Sequence, residues 1–487
     1  MEVRCQNILL VVLMFFLLPA CVMEEGGYHD SRVYSNAISE KEQLKKNGAE
    51  AIIRNPIIVI NGLLGAQLQD TVTGETVWGV FSPAALRSGK FNRQLMHPAG
   101  FGTPLNELAG SVLPDGLLAR SEIQLMGVSF YLSNYEILLE YLSRAGFISE
   151  DNVAEGEMPT QFIFAYDWRR DISENAVELH KFITAKKKML QSDYRQRFGI
   201  SDYDVQFDIV AHSMGGLLAG YYLRYGGIRF PDDPEADFPV TWAGGKNVDK
   251  VVMIGTPNAG YIDAMLEICN GLKLTAYAPV IPPAVIGSFP SLYQMMPDPD
   301  TGTIVWQDQA SPEPDIWDVA LWEKFGWGLA GNIDHDLVKL LPEIKTPEER
   351  RAIAIDHLKK CLLRGKLFRK YMRRQAPPPP EDVKIFLIAG DALKTNSTIS
   401  IDGSGIIRVT AQDSGDGKIT CSSARYDLVN GGGRTPFSRT PIPWYGICYL
   451  PGGHMGIMNS TVFLSNLTSI LFSWPSDKQL KALERLQ

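Results

Sequence analysis

The chain has 487 residues, 45% of them hydrophobic and 10% aromatic, enough apolar material to bury a large interior, and this excludes disorder as the organising state. Its net charge of −8 leaves no basic footprint, which excludes nucleic acid as a partner class and directs the search for function to a pocket.

The N-terminus reads as an export signal. Arg4 precedes an apolar run from Ile8 to Leu18, which is shorter than the about 20 residues a helix needs to cross a bilayer. Residues 1–21 are therefore read as a signal peptide. Leu18-Pro19-Ala20-Cys21 resembles a bacterial lipoprotein cleavage box with Cys21 as the acylated residue, and an ordinary cleaved leader is the alternative. Either way the protein is exported, as a periplasmic or outer-membrane lipoprotein or in secreted, membrane-associated form. Removing the leader leaves Cys269, Cys361, Cys421 and Cys448, an even set that an oxidising compartment allows to pair.

Residues 22–487 read as one α/β domain. The first buried strand is Pro56 to Ile60, followed by the glycine-rich loop "NGLLG". Residues near 67–130 are rich in glycine, proline and turn signals and are expected to be an insertion with its own structure. A strand at Gln161 to Tyr166 leads into Asp167 and Trp168, read as packing residues with a place in the pocket lining as the alternative, and then into a helix with Leu179, Phe182, Ile183 and Leu190 on one face. Three more strands are expected at Val205 to Ala211, Val248 to Gly255 and Val383 to Gly390. Short apolar β-branched runs alternating with helical patterns are the mark of a parallel sheet covered on both faces. Between the last two strands, residues near 259–375 form a second expected insertion. It contains a basic helix that opens with Thr346 as N-cap and Pro347 at the first turn, read as a solvated face or, alternatively, a contact for anionic lipid.

The chemistry centres on "VQFDIVAHSMGGLLAGYYLRYGG". A strand, a sharp turn with Ser213 at its apex and a helix make the nucleophile elbow of α/β-hydrolases, in which small residues two before and two after the serine let strand and helix approach. Ala211 and Gly215 fill those places. The helix aims its N-terminal N–H groups near Ser213, with the Met214 N–H as one oxyanion donor. The second donor is expected in the loop after the first strand, at the Leu63 N–H.

A serine hydroxyl needs a base, and in this fold the order is serine, acid, histidine. His29, His97 and His180 come too early, His212 is the serine's neighbour and is read as pointing elsewhere, and His335 and His357 lie in the second insertion. His454, in "PGGHMG" before the terminal helix, remains. For the acid, Asp391 ends the strand "VKIFLIAGD" and Asp416 lies in the turn "SGDGKI". The residues alone leave both open.

Taken in order, "PIIVINGLLGAQL", "FAYDWRR", "AHSMGG", "SFPSLYQMMP", "SGDGKI" and "PGGHMGIMN" resemble the motifs of the lecithin:cholesterol acyltransferase family, which includes lysosomal phospholipase A and phospholipid:diacylglycerol acyltransferases. The resemblance spans about Ile53 to Phe463. It implies an α/β-hydrolase core with a cap and a small membrane-binding insertion, acting on acyl esters of phospholipids at a lipid interface, with no cofactor or metal. It implies Ser213 as nucleophile, His454 as base and Asp416 as acid in preference to Asp391, with Leu63 and Met214 lining the oxyanion hole. Two departures from the family pattern stand out: Asn61 replaces a proline before the glycine, and Lys418 replaces a threonine after "GDG". Two other functions fit the residues: an esterase or lipase without acyl transfer, and a non-catalytic envelope-bound protein on the same scaffold.

Overall fold

The computed structural model describes residues 54–472 apart from 83–85, 126–127, 202, 275–277, 309–311 and 429–438. The expected leader and Cys21 lie outside the described residues. Six strands form the central sheet: β1 (Ile57–Ile60), β2 (Gln161–Phe164), β3 (Phe207–His212), β4 (Val248–Ile254), β5 (Lys384–Gly390) and β6 (Trp444–Leu450). Their spatial order is β6-β5-β4-β3-β1-β2, and every neighbouring pair is parallel.

The reason these runs are apolar throughout is visible in how they divide. Side chains alternate across a strand, so a strand covered on both sides needs apolar residues at every position. Ile58, Ile60, Ile209, Ala211, Val251, Met253 and Leu387 face one core, whereas Ile57, Val59, Val210, Val252, Ile254, Phe386 and Ile388 face the other. The first core is closed by α2 (Ile172–Phe198), α3 (Met214–Tyr225) and α4 (Pro347–Arg373); the second is closed by α1 (Glu136–Arg144) and α5 (Thr461–Phe472).

Five of the strands fall where the apolar runs predicted them, within one or two residues. The exception is β6, which the sequence reading missed. It is the edge strand beside β5, with Tyr445 and Ile447 exposed between half-buried neighbours, so it lacks the continuous apolar run of a central strand. The helix expected after β2 is α2, which begins at Asp171, whose carboxylate accepts the Ser173 N–H at 2.7 Å, and stops at Gly199 with φ 68°.

The two long interruptions fold into their own elements. Ala66–Asp70, Thr76–Trp78 and Val112–Leu117 make one small sheet, and Val80–Phe81, Arg120–Leu125 and Val128–Ser133 make another. The second stretch contributes several short helices and α4. There Thr346 caps as expected, its hydroxyl accepting the Glu349 N–H at 3.2 Å, with Pro347 in the first turn. The reading of α4 as a solvated basic face is corrected: Arg350, Arg364 and Arg369 are buried. Arg364 pairs with the buried Asp171 at 2.7 Å and also reaches Ser173 and Asp232, which ties α4 to the start of α2. The pairing that an oxidising compartment would allow is not formed: Cys269, Cys361, Cys421 and Cys448 are all free thiols. Among the described residues, no helix is long and apolar enough to cross a membrane.

Candidate active site

Ser213 sits where β3 ends and α3 begins, with φ 53° and ψ −124°. Such a conformation costs a non-glycine residue about 1–3 kcal/mol and persists only where the surroundings enforce it. They do so here by close approach. The Ser213 N–H is held by the Ile254 carbonyl of β4 at 2.7 Å. A Cβ at Gly215 would lie 2.4 Å from the Asn61 carbonyl oxygen, and one at Gly216 would lie 1.9 Å from Thr256 Oγ1. Only glycine lets α3 settle this tightly on the strand ends.

The three residues expected to act together are adjacent. His454 Nε2 lies 2.9 Å from Ser213 Oγ, and His454 Nδ1 lies 2.7 Å from Asp416 Oδ2. Asp416 is buried, and its other oxygen, Oδ1, accepts the Lys418 and Ile419 N–H groups at 2.9 and 2.7 Å. Burial alone would raise the Asp416 pKa, but the hydrogen bond and charge of His454 together with the two backbone donors hold it below the ordinary value. An ionised Asp416 can only accept, so His454 carries its proton on Nδ1 and turns the Nε2 lone pair toward the serine.

Asp391, the rival left open by sequence order, is exposed at the mouth of β5 and gives its N–H to the Leu450 carbonyl. The chain leaves β5, makes the hairpin Leu393–Ile401 and Ile407–Gly415, and only on its return presents Asp416 beside Gly390 and Gly255. A Cβ at Gly255, which has φ 54°, would meet Asp416 Oδ2 at 3.1 Å and His454 Nδ1 at 3.3 Å.

The loop after β1 lies against the serine. A Cβ at Gly62 would be 2.8 Å from Ser213 Cβ. Gly62 to Gly65 is a turn closed by the Gly65 N–H on the Gly62 carbonyl at 3.1 Å, with Leu64 at φ 64°. That bond leaves the N–H of Leu63, the turn's second residue, out of the turn's own hydrogen bonding. Met214 is the first residue of α3, so its N–H has no partner within the helix. Aromatic donors pin the loop's carbonyls: Tyr166 Oη on Asn61 at 2.9 Å, Trp78 Nε1 on Leu64 at 2.8 Å and Trp168 Nε1 on Ala66 at 3.0 Å. Trp168 and Asp167 thus have the packing role expected of them, with Asp167 paired to Arg169 at 2.9 Å.

Neither departure from the family pattern disturbs the site. Asn61 is fully buried and donates Nδ2–H to the Gly62 carbonyl at 2.8 Å, a bond proline could not make. Lys418 serves Asp416 through its backbone and sends its ammonium to Glu267 at 2.9 Å.

His212 is the correction. It does not point away from the site: its ring lies 4.9 Å from that of His454, and its Nε2 is 3.0 Å from the His454 carbonyl oxygen. Tyr135, which the sequence reading did not single out, lies 3.0 Å from His212 Nδ1 through its hydroxyl. A contact between residues so far apart in sequence has no local signal.

Among solved structures, the chain is similar to the Tle4-Tli4 complex structure, at 12% identity and a TM-score of 0.57 over 87% of this chain and 99% of that one. It is also similar to lipase 1 from Pelosinus fermentans, at 13% identity and a TM-score of 0.35 over 86% of this chain and 99% of that one. The first likeness establishes the fold as that of an α/β-hydrolase, in agreement with the parallel sheet and its flanking helices. No curated protein sequence matches the chain. Residues 134–321, which include Ser213, match the family model of lecithin:cholesterol acyltransferase. That match supports lipid acyl-ester hydrolysis or transfer as the chemistry. Over those residues it bears out the resemblance carried by the motifs.

Proposed function

We propose that the protein is a serine-dependent lipid acyl hydrolase and O-acyltransferase that works through an acyl-enzyme. Ser213 attacks the ester carbonyl while His454 Nε2 takes the hydroxyl proton. Asp416 holds the imidazole tautomer and stabilises the imidazolium. The Leu63 and Met214 N–H groups receive the oxyanion, and His454 returns its proton to the departing alcohol. Water or an acceptor alcohol, deprotonated by His454, then attacks the acyl-Ser213 ester; the acyl–Oγ bond breaks, His454 returns the proton to Ser213 Oγ, and the acid or a new ester leaves. No step calls for a metal or cofactor.

The single observation that carries this reading is the unbroken line from Ser213 Oγ to His454 at 2.9 Å and on to Asp416 at 2.7 Å, with the serine held at φ 53° at a helix N-terminus. A phospholipid or other acyl ester at a lipid interface is the proposed substrate, on the strength of the family match. Export, as a lipoprotein or a secreted protein, is part of the same proposal and is supported by the sequence of residues 1–21.

The test is to incubate wild type and Ser213→Ala with defined phospholipids, with and without a long-chain alcohol, and to identify the products. Fatty acid together with the alcohol's ester, both lost in the variant, is the expected result. Fatty acid alone would reduce the activity to that of a lipase. Unchanged turnover in the variant, or no turnover and no fluorophosphonate labelling in wild type, would refute the serine mechanism.

A further inference from the structure

Ser213 is preceded by a histidine that the mechanism does not use, and the bonds around that histidine join the two loops the mechanism depends on. The His212 side chain is buried, and burial, followed by the nearby His454, pushes its pKa down to about 3, so the ring is neutral with one N–H. Nε2 faces the His454 carbonyl oxygen at 3.0 Å, which can only accept, so the proton is on Nε2. Nδ1 is then an acceptor, and the Tyr135 hydroxyl 3.0 Å away must be its donor. The same hydroxyl oxygen accepts the Gly62 N–H at 2.9 Å. Every donor and acceptor in the line is therefore assigned: Gly62 N–H to Tyr135 oxygen, Tyr135 O–H to His212 Nδ1, and His212 Nε2–H to the His454 carbonyl.

The two ends of this line are functional. Gly62 immediately precedes Leu63 and packs against Ser213. His454 has its N–H on the Asp416 carbonyl at 2.9 Å and its carbonyl on His212, so its backbone is held from both sides. We propose that Tyr135 and His212 are positioning residues that lock the oxyanion loop and the base loop into one register around Ser213. This rests on the serine mechanism proposed above. Positioning of this kind acts on the transition state more than on ground-state binding, since a displacement of about 1 Å can cost about 100-fold in rate.

The experiment uses the full chain, p-nitrophenyl butyrate as a soluble ester, and circular dichroism melting to establish folding. Tyr135→Phe keeps the ring and deletes only the hydroxyl. It is expected to lower kcat about 10- to 100-fold with KM within about twofold of wild type. His212→Phe is expected to lose at least as much. His212→Gln, which restores an N–H for the His454 carbonyl and an acceptor for Tyr135, is expected to recover about tenfold of that loss. Because the residues act as one line, the double variant Tyr135→Phe/His212→Phe should lose no more than His212→Phe alone. A folded Tyr135→Phe with kcat within twofold of wild type, losses that multiply in the double variant, or no recovery in His212→Gln would each overturn the positioning role while leaving a Ser213-dependent enzyme in place. Full turnover in Ser213→Ala would overturn both.

Discussion

Asp416 and His454 are joined twice. The carboxylate accepts the imidazole Nδ1–H at 2.7 Å, and the Asp416 backbone carbonyl accepts the His454 N–H at 2.9 Å. The ring is therefore fixed in orientation relative to its acid, and the acid is fixed by the Lys418 and Ile419 N–H groups. Asp416→Asn would present an amide in place of an acceptor-only group and let the ring adopt the tautomer with its proton on Nε2, which cannot take the serine proton. The expected result is a kcat about 1,000- to 10,000-fold lower with KM little changed, read from steady-state ester hydrolysis. A loss smaller than tenfold would mean that another carboxylate orients the base.

Lys418 supplies that acid with a backbone donor, which any residue except proline provides. Its side chain is bonded to Glu267 and Asp263 at a position that is 44% exposed. Lys418→Ala should therefore keep kcat within about twofold and change stability by no more than about 1 kcal/mol, the usual worth of an exposed ion pair. Denaturant melting beside the kinetic assay checks both. A large fall in kcat would show that the ammonium contributes to the site.

How much of this was readable in the sequence depends on the distance over which each feature is encoded. The elbow was legible because strand, serine, glycines and helix are contiguous, and His454 because chain order left no other histidine. The choice between Asp391 and Asp416 was not legible from the residues, since it turns on a hairpin that carries the chain away from β5 and back. The resemblance to a family resolved what local chemistry could not. The roles of His212 and Tyr135 were invisible because residues 77 positions apart meet only in the folded chain. The basic run of α4 misled for a related reason. A guanidinium looks solvated until its buried partner is known, and the partner of Arg364 is Asp171, 193 positions away.

The glycines behind the serine carry no chemistry but set its position. At Gly215 a methyl group would fall 2.4 Å from the Asn61 carbonyl, which is backbone and belongs to the oxyanion loop. Gly215→Ala should push that loop away from Ser213, lowering both stability, by about 1–3 kcal/mol, and kcat. Thermal melting and ester hydrolysis on the same preparation test this. A variant with wild-type melting and wild-type kcat would mean that α3 can shift freely on the strand ends.

The pair Arg364 and Asp171 joins α4 to the start of α2 at 2.7 Å with both side chains buried. Burial raises the Asp171 pKa, but Arg364 outweighs it and holds the carboxyl below its ordinary range. Arg364→Met removes the cation and leaves the carboxylate stranded, a loss of about 3–5 kcal/mol by comparison with other broken buried pairs. The double variant Arg364→Met/Asp171→Leu should recover much of that loss, because it removes the unpaired charge as well. A single variant as stable as wild type would show that Ser173 and Gln294 alone suffice for Asp171.

A second buried cluster lies at the opposite end of the sheet from Ser213 and has a pH signature of its own. Asp208 and Asp249 share Lys250 at 3.3 and 3.0 Å; Asn55 donates to both, and Lys384 lies 3.6 Å from Asp249. With less cationic help than Asp249, Asp208 has its pKa raised, first by burial and then by Asp249, against the pull of Lys250. The sign follows from proton linkage. Between the ordinary carboxylate value and the raised folded value, the folded state keeps a proton that the unfolded chain has released. Asp208 therefore favours folding at low pH, and that contribution is lost as pH rises through the folded value. Asp208→Asn cannot titrate, so whatever its absolute stability, the stability difference between wild type and variant should shift against wild type from about pH 4 to about pH 7. Urea unfolding at steps across that range measures it. A difference that stayed flat, or moved in favour of wild type, would mean that Asp208 is ionised throughout and that Lys250 serves both carboxylates.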